Sequence, residues 1–146
     1  MKHKCLIEIT YNFIEKQSYI NKIFFDGLIR ILKPFYLKDW LLLQIITLGP
    51  GLVEGDIYEI KVKVNSFAKV ILINQSATKV LTSSKGIGVK QNLDFTIEEH
   101  GELEYYPGLL IPFPKSIFSQ NITVKMKKKF QFWIFRNLGY GTNSSK

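Results

Sequence analysis

Short stretches of alternating apolar and polar residues organise the chain. This alternation covers Leu6–Phe13, Tyr58–Val64 and Val89–Glu98. A period of two places successive side chains on opposite faces of a β-strand, so each stretch predicts a strand with one buried face. Two more stretches, Trp40–Leu48 and Phe67–Ile73, are apolar at both parities. Such runs are typical of strands covered on both sides.

Shorter strands are predicted at 19–25, 28–33, 77–82, 102–106, 121–126 and 130–135, with glycine, proline and asparagine turn signals between them. About ten short strands indicate an all-β fold, either a sandwich, a barrel or a β-helix. Segments 10–20 and 34–42 have room for one helical turn each. We expect one β domain over residues 1–135 and a flexible tail over residues 136–146.

Composition supports this interpretation. Residues with branched β-carbons or aromatic rings make up 53 of 146 positions, whereas alanine occurs only at Ala68 and Ala77. The formal net charge is +8, and residues 105–146 contain seven lysines and arginines but no acidic residue. A basic region can indicate an acidic, membrane or nucleic-acid partner. No signal peptide or membrane-length apolar run is evident, which favours a soluble cytoplasmic protein.

Candidate catalytic groups are sparse. The two histidines are His3, next to the terminus, and His100, in a predicted turn, and neither has the neighbours of a catalytic triad. With Cys5, they do not form a tetrahedral zinc set. His3 remains a weak metal candidate, because an amine followed by histidine at position 3 can bind Ni(II) or Cu(II) in a square plane.

A lysine run, Lys127–Lys129, is followed by Phe130, Phe132 and Trp133. Lysines with interleaved aromatic rings can bind single-stranded nucleic acid. The alternative is a strand whose lysines protect a sheet edge, and the absence of a recognition module favours it.

Three segments carry a family resemblance. The first segment consists of Ile31-Leu-Lys-Pro-Phe-Tyr36 and Leu48-Gly-Pro-Gly-Leu-Val-Glu-Gly-Asp56. The second is Asn74-Gln-Ser-Ala-Thr-Lys-Val80. The third runs from Leu103-Glu-Tyr-Tyr-Pro107 through Leu110-Ile-Pro-Phe113. In order and spacing these blocks resemble the urease accessory protein family UreD, also called UreH. The resemblance covers roughly residues 5–126 and the N-terminal portion of such a protein.

The resemblance implies a non-enzymatic cytoplasmic chaperone that helps insert nickel into apo-urease, in a complex with UreF and the GTPase UreG. It implies a β-helix-like stack of strands, which we expect to be mainly antiparallel with one or two short helices. No cofactor is expected to be tightly bound, and nickel is expected in transit through a polar internal channel. Neither a membrane nor nucleic acid is an expected partner.

Five residues stand at the family's motif positions: Gly55, Asp56, Gln75, Thr78 and Lys79. Gln75 and Thr78 adjoin an apolar run and are expected to be buried, where they either line a channel or bond to the backbone. Asp56 either carries a metal in transit or caps a turn. Lys79 either meets an acidic partner or is a solvated strand residue.

The chain departs from the family pattern at its glycine corner, where Pro50 and Glu54 replace small residues, and in its last ten residues. Family members are longer, so we expect a truncated stack with an unpaired strand edge. Two alternatives therefore stand beside the chaperone hypothesis. In the first alternative the chain is a non-functional truncated remnant. In the second it is a basic β-domain that binds nucleic acid.

Overall fold

The structure, a computed structural model, describes residues 4–127 and 131–138. These residues form twelve β-strands and no helix, which confirms the all-β prediction. The strands are β1 (Lys4–Ile14), β2 (Gln17–Asp26), β3 (Ile29–Ile31), β4 (Phe35–Leu37), β5 (Trp40–Thr47), β6 (Ile57–Val64), β7 (Lys69–Asn74), β8 (Thr78–Val80), β9 (Val89–Ile97), β10 (Glu102–Pro112), β11 (Phe118–Met126) and β12 (Gln131–Leu138).

The strands form two sheets whose inner faces share one core. The five-stranded sheet has the order β11-β9-β6-β1-β2, and the seven-stranded sheet has the order β12-β10-β7-β5-β3, with β4 beside β5 and β8 beside β10. Alternate residues of the central strands, such as Ile7 of β1, Leu43 of β5 and Leu93 of β9, are fully buried between the sheets. The period-two patterns therefore bury their apolar side as predicted.

From β5 onward the chain coils between the sheets. Strands β5, β7, β10 and β12 lie in one sheet, and β6, β9 and β11 lie in the other. Ile57 pairs with Lys90 and Val70 with Leu103, a spacing of 33 residues in both sheets. The next turn of the coil pairs residues 29 apart in both sheets, as in Leu93 with Ile122 and Leu103 with Phe132. The architecture is a β-helix-like stack.

The expectation of antiparallel stacking is wrong for most of the stack. Among the described residues, seven of the ten strand pairings are parallel, and only β1–β2, β3–β5 and β4–β5 are antiparallel. Connectivity is the cause. A chain that crosses to the opposite sheet and returns enters its first sheet again from the same end, so successive strands there run in the same direction.

The two predicted helical turns are also wrong, because tight hairpins occupy both segments. Glu15 and Lys16 connect β1 to β2 with φ angles of 50° and 64°, and Ile14 pairs with Gln17. Two positive φ angles indicate a type I′ turn, the geometry that suits a two-residue hairpin. Lys38, with φ 58°, similarly connects β4 to β5. Neither turn contains the Asn-Gly or Asp-Gly signal that would have predicted it.

The outer faces of the sheets differ in polarity. On the five-stranded sheet, Lys4 pairs with Glu59 at 3.1 Å and Lys61 pairs with Glu8 at 3.3 Å. On the seven-stranded sheet, the outward residues Leu42 and Ile71 of the two-sided apolar runs are nearly buried. No helix within residues 4–127 and 131–138 is long and apolar enough to cross a membrane.

Candidate functional site

Three segments that are distant in sequence meet at one end of the coil. They are the corner of residues 49–56 between β5 and β6, the segment of residues 74–80 around β8, and the second half of β10. Leu52 forms a parallel bridge with Val80, and the Leu52 amide donates to the Lys79 carbonyl at 2.8 Å. Thr78 pairs with Leu110 of β10. The three sequence blocks that carry the family resemblance are therefore neighbours in space.

Gly55 and Asp56 close a tight turn in the corner. The Asp56 amide donates to the Val53 carbonyl at 3.1 Å, and the Val53 amide donates to the Asp56 carboxylate at 3.0 Å. Gly55, the third residue of this turn, has φ 84°, which a type II turn requires and glycine adopts without strain. Asp56 is buried. Of the two roles proposed from the sequence, this geometry gives Asp56 that of capping the turn.

Glu54 anchors a neighbouring loop and was missed by the sequence analysis. Its carboxylate accepts hydrogen bonds from the Lys85 amide at 2.9 Å and from the hydroxyls of Ser83 and Ser84 at 3.0 Å each. The Lys85 amide bond, with the two hydroxyl bonds, holds the pKa of Glu54 below its ordinary value. The departure from the family pattern at this position thus fixes the loop over the corner. The consecutive serines Ser83 and Ser84 after β8 were the sequence feature that could have indicated hydrogen-bond donors for a carboxylate.

A cleft of about 340 Å³ lies between the corner and the β8 segment. Thr78 and Lys79 line it together with Thr47, Ser76 and residues 49–52 of the corner. Thr78 is half-buried and Lys79 is exposed. The structure thus brings two of the five motif residues to one concave surface, and the exposed Lys79 is among the residues that line it.

Gln75 does not join this cleft. It is exposed, so the expectation that it is buried is wrong. Its amide donates to the Ile45 carbonyl at 2.9 Å, which extends the β5–β7 pairing by one residue beyond the strand end. The polar side-chain atom that is buried here belongs to the preceding residue, Asn74, whose Oδ1 accepts no bond from the described residues. Gln75 directly follows the last residue of β7, where strand alternation no longer decides which side chain is buried.

A row of polar residues crosses the inner face of the five-stranded sheet. Cys5 pairs with Tyr58, Tyr58 with Gln91, and Gln91 with Gln120 on adjacent strands. The side-chain amide of Gln120 donates to the side-chain oxygen of Gln91 at 2.6 Å, and the backbone amide of Leu28 donates to the Cys5 sulfur at 3.3 Å. Burial first, and then the bond to Cys5, raises the pKa of the Tyr58 hydroxyl. Gln91 interrupts an apolar alternation, which was the signal for this row.

Metal-binding side chains are dispersed. Within residues 4–127 and 131–138, no three His, Cys, Asp or Glu side chains come close enough to hold an ion. His100 stacks on the ring of Phe67, with 4.9 Å between centroids, and Cys5 is buried. The weak candidate His3 lies outside the described residues.

Only the first lysine of the run Lys127–Lys129 lies within the described residues. Lys127 pairs with Glu98 at 2.6 Å, whereas residues 128–130 lie outside the described part. Phe132 packs against Phe95 of the core at 5.6 Å between ring centroids, so it is not available to stack on a base. Trp133 is exposed on the opposite face of the same strand. Alternation along β12 thus places Phe132 and Trp133, which the nucleic-acid hypothesis groups together, on opposite faces of the sheet.

Comparison with known proteins confirms the resemblance that the three blocks carry. A family-wide sequence model described as UreD urease accessory protein matches residues 4–135. The chain belongs to the UreD family. The match extends beyond the resemblance seen in the sequence, because it includes most of β12.

Individual UreD proteins are similar over much of this chain. The urease accessory protein UreD 1 of Synechococcus sp. is 43% identical over 126 residues, which are 86% of this chain and 47% of the relative. The UreD proteins of Streptococcus thermophilus and Lachnoclostridium phytofermentans are each 32% identical, over 64% and 73% of this chain and 40% and 39% of their own lengths. The chain therefore spans less than half the length of these curated relatives.

Proposed function

We propose that this chain acts in urease maturation as a scaffold that binds other proteins. The observation that carries the proposal is the meeting of the three UreD blocks beside one cleft, which two of them line, within a chain that the family model matches over residues 4–135. The proteins similar to it are named urease accessory proteins. Family membership and this shared surface support an accessory role, and the finer roles below are part of the proposal.

The proposed partners are UreF, UreG and the apo-urease subunits, and UreF is assigned to the cleft. A concave surface with half-buried polar groups and an exposed lysine at its rim suits a protein segment with an acidic side chain. Lys79 lies on a short strand that is held from both sides, by Leu52 and by β10, so its backbone is well ordered for recognition. The site acts by binding, not by catalysis.

Nickel is the proposed cargo of the assembly and not a resident cofactor of this chain. The row from Cys5 to Gln120 offers sulfur and oxygen atoms on successive strands of the interior. Weak, neutral oxygen donors suit an ion that must leave again, whereas a closed Cys/His cage would retain it. The proposed compartment is the cytoplasm.

Association with UreF is the first test. The purified chain is expected to retain UreF in a pull-down at low ionic strength, and Lys79→Glu is expected to weaken the interaction about tenfold because it reverses a rim charge. Lys90→Glu is the matched control, since Lys90 is an exposed lysine on the outer face of the other sheet. Equal binding by both variants would contradict the assignment of UreF to the cleft.

Urease activity separates a scaffold from a non-functional remnant. The chain is expressed in a ureolytic host that lacks only the matched region of its UreD gene, and in a second host that lacks the whole gene. We expect restored urease activity in the first host. No activity in either host, with the chain present at normal abundance, would favour the remnant hypothesis.

A further inference from the structure

The outer face of the five-stranded sheet carries a row of basic residues that crosses all of its strands. Register places Lys125 of β11 opposite Thr96 of β9, and Thr96 opposite Lys63 of β6. Lys63 is opposite Thr10 of β1, and Thr10 is opposite Lys22 of β2. The three lysines are exposed, and the two threonines are half-buried. We call this alternation of lysine and threonine, residues 22, 10, 63, 96 and 125, the basic row.

A β-bulge brings Lys22 into the basic row. Ile20 pairs with Tyr11 and Lys22 pairs with Thr10, so Asn21 is an extra residue without a partner in β1. Ile20 packs against the core, and strict alternation would turn Lys22 to that same inward face. Because one extra residue reverses the parity of the strand beyond it, Lys22 points outward beside Thr10. Bulges commonly re-aim a side chain in this way next to functional surfaces.

The lysines of the basic row differ from three other lysines of this face, each of which pairs with a carboxylate: Lys4 with Glu59, Lys61 with Glu8, and Lys127 with Glu98. Within residues 4–127 and 131–138, Lys22, Lys63 and Lys125 form no ion pair. Successive lysines of the row are two strands apart, which is about 9.5 Å. The row therefore presents three positive charges without carboxylate partners along a line of about 19 Å.

Part of the basic row lies in a shallow depression of about 250 Å³, which is lined by four members of the row: Lys22, Thr10, Lys63 and Thr96. Glu8 and Asp94 of the neighbouring row line it as well, and the lining residues include no aromatic ring. A nucleic-acid strand carries a phosphate charge about every 3.4 Å, so it would pass close to both carboxylates, and its bases would find no ring to stack on. Separate acidic side chains can avoid the two carboxylates. The charge pattern therefore favours an acidic polypeptide.

We propose that the basic row docks an acidic helix of a partner protein, which lies across the strands. A carboxylate over Thr10 meets a lysine on each side and a hydroxyl that can donate to it, and a carboxylate over Thr96 has the same surroundings. These two positions are about 9.5 Å apart, whereas helix residues seven apart lie on one face at about 10.5 Å. The depression shares no lining residue with the cleft, and the proposal goes beyond the accessory role.

Two helical peptides test the spacing. Both are alanine-based chains of about 20 residues with two glutamates, long enough to form a helix in water. The glutamates are seven residues apart in the first peptide and five apart in the second, where they point to different sides of the helix. Fluorescence anisotropy at low ionic strength is expected to show that the whole chain binds the first peptide about fivefold more tightly. Equal binding of the two peptides, or binding of neither, would overturn the proposal.

Charge reversals in the chain test the geometry. Lys63 flanks both carboxylate positions, so Lys63→Glu is expected to weaken binding of the first peptide about tenfold. Lys22→Glu and Lys125→Glu each remove one flanking charge and are expected to weaken it about threefold. Lys90→Glu is the matched control, with an effect below about twofold, since Lys90 is exposed on the same face about 20 Å along β9 from Thr96. Equal effects of Lys63→Glu and Lys90→Glu would rule out docking at the row.

A labelled single-stranded oligonucleotide separates an acidic helix from nucleic acid as the occupant. We expect Lys63→Glu and Lys90→Glu to change its binding equally. Tighter binding of the oligonucleotide than of the first peptide, lost in Lys63→Glu and retained in Lys90→Glu, would overturn the assignment. Lys63→Gln, which removes the charge without reversing it, is expected to weaken peptide binding about threefold. Circular dichroism is expected to show unchanged strand content in every variant, because each substituted lysine is exposed.

Discussion

The middle and the last turn of the coil have the same pattern but different burial. Leu93 of β9 and Ile122 of β11 occupy one row, yet Leu93 is fully buried and Ile122 is 40% exposed. Strand β9 has neighbours on both sides, whereas β11 has one within the described residues. Apolar alternation thus states which face of a strand points inward, but the neighbouring strands decide how much apolar surface leaves water.

The largest expected effect is a loss of stability when the core residue of this pair, Leu93, is truncated. Leu93→Ala is expected to lower the free energy of unfolding by about 3–4 kcal/mol, because it leaves a cavity between two closely packed sheets. Ile122→Ala removes a similar volume from the half-covered face of β11 and is expected to cost about 1 kcal/mol. Urea denaturation followed by circular dichroism measures both. Similar costs would show that the two turns are equally packed in solution.

A smaller effect concerns the amide pair that links the two turns. Gln120→Leu is expected to cost about 1–2 kcal/mol even though its own side chain is half-buried, because it leaves the buried Gln91 carbonyl without its 2.6 Å bond. Replacing both residues with leucine is expected to recover part of the loss. If the double variant costs the sum of the single ones, the pair is not coupled.

The smallest effect lies on the surface and depends on pH. The hydrogen bond from Lys127 holds the pKa of Glu98 below its ordinary value of 4.5. Since the folded state lowers this pKa, the stabilisation is complete above the unfolded pKa and is lost as pH falls through the folded one. Glu98→Gln is therefore expected to lower the melting temperature slightly at pH 7 and not at pH 2. An equal difference at both pH values would contradict an ionic contribution.

Most of the strands were predictable because alternation is a local property. The patterns at Leu6–Phe13, Tyr58–Val64 and Val89–Glu98 correspond to β1, β6 and β9 with few changes at their ends. The hairpin at Glu15-Lys16 was not predictable, since its positive φ angles occur in residues that rarely adopt them. The repeat of the coil was not visible in the sequence either. Paired residues of successive turns are alike in polarity and spacing, but they are mostly different amino acids.

The candidate site was predictable in part. The family blocks drew attention to Gly55, Asp56, Thr78 and Lys79, but their sequence positions did not show that Asp56 closes a turn while Lys79 lines a cleft. Gln75 was placed in the interior because its exposure depends on where β7 ends. Glu54 was missed because its partners follow it by about thirty residues.

The sequence by itself determined the strand content, the inward face of the main strands and the family, because each follows from local patterns and ordered motifs. Only the tertiary structure decided the parallel direction of the strands, the meeting of the three blocks and the partial exposure of the apolar side chains of β11. These three features depend on which strands become neighbours across 29 to 33 residues, and the connections between sheets set that choice.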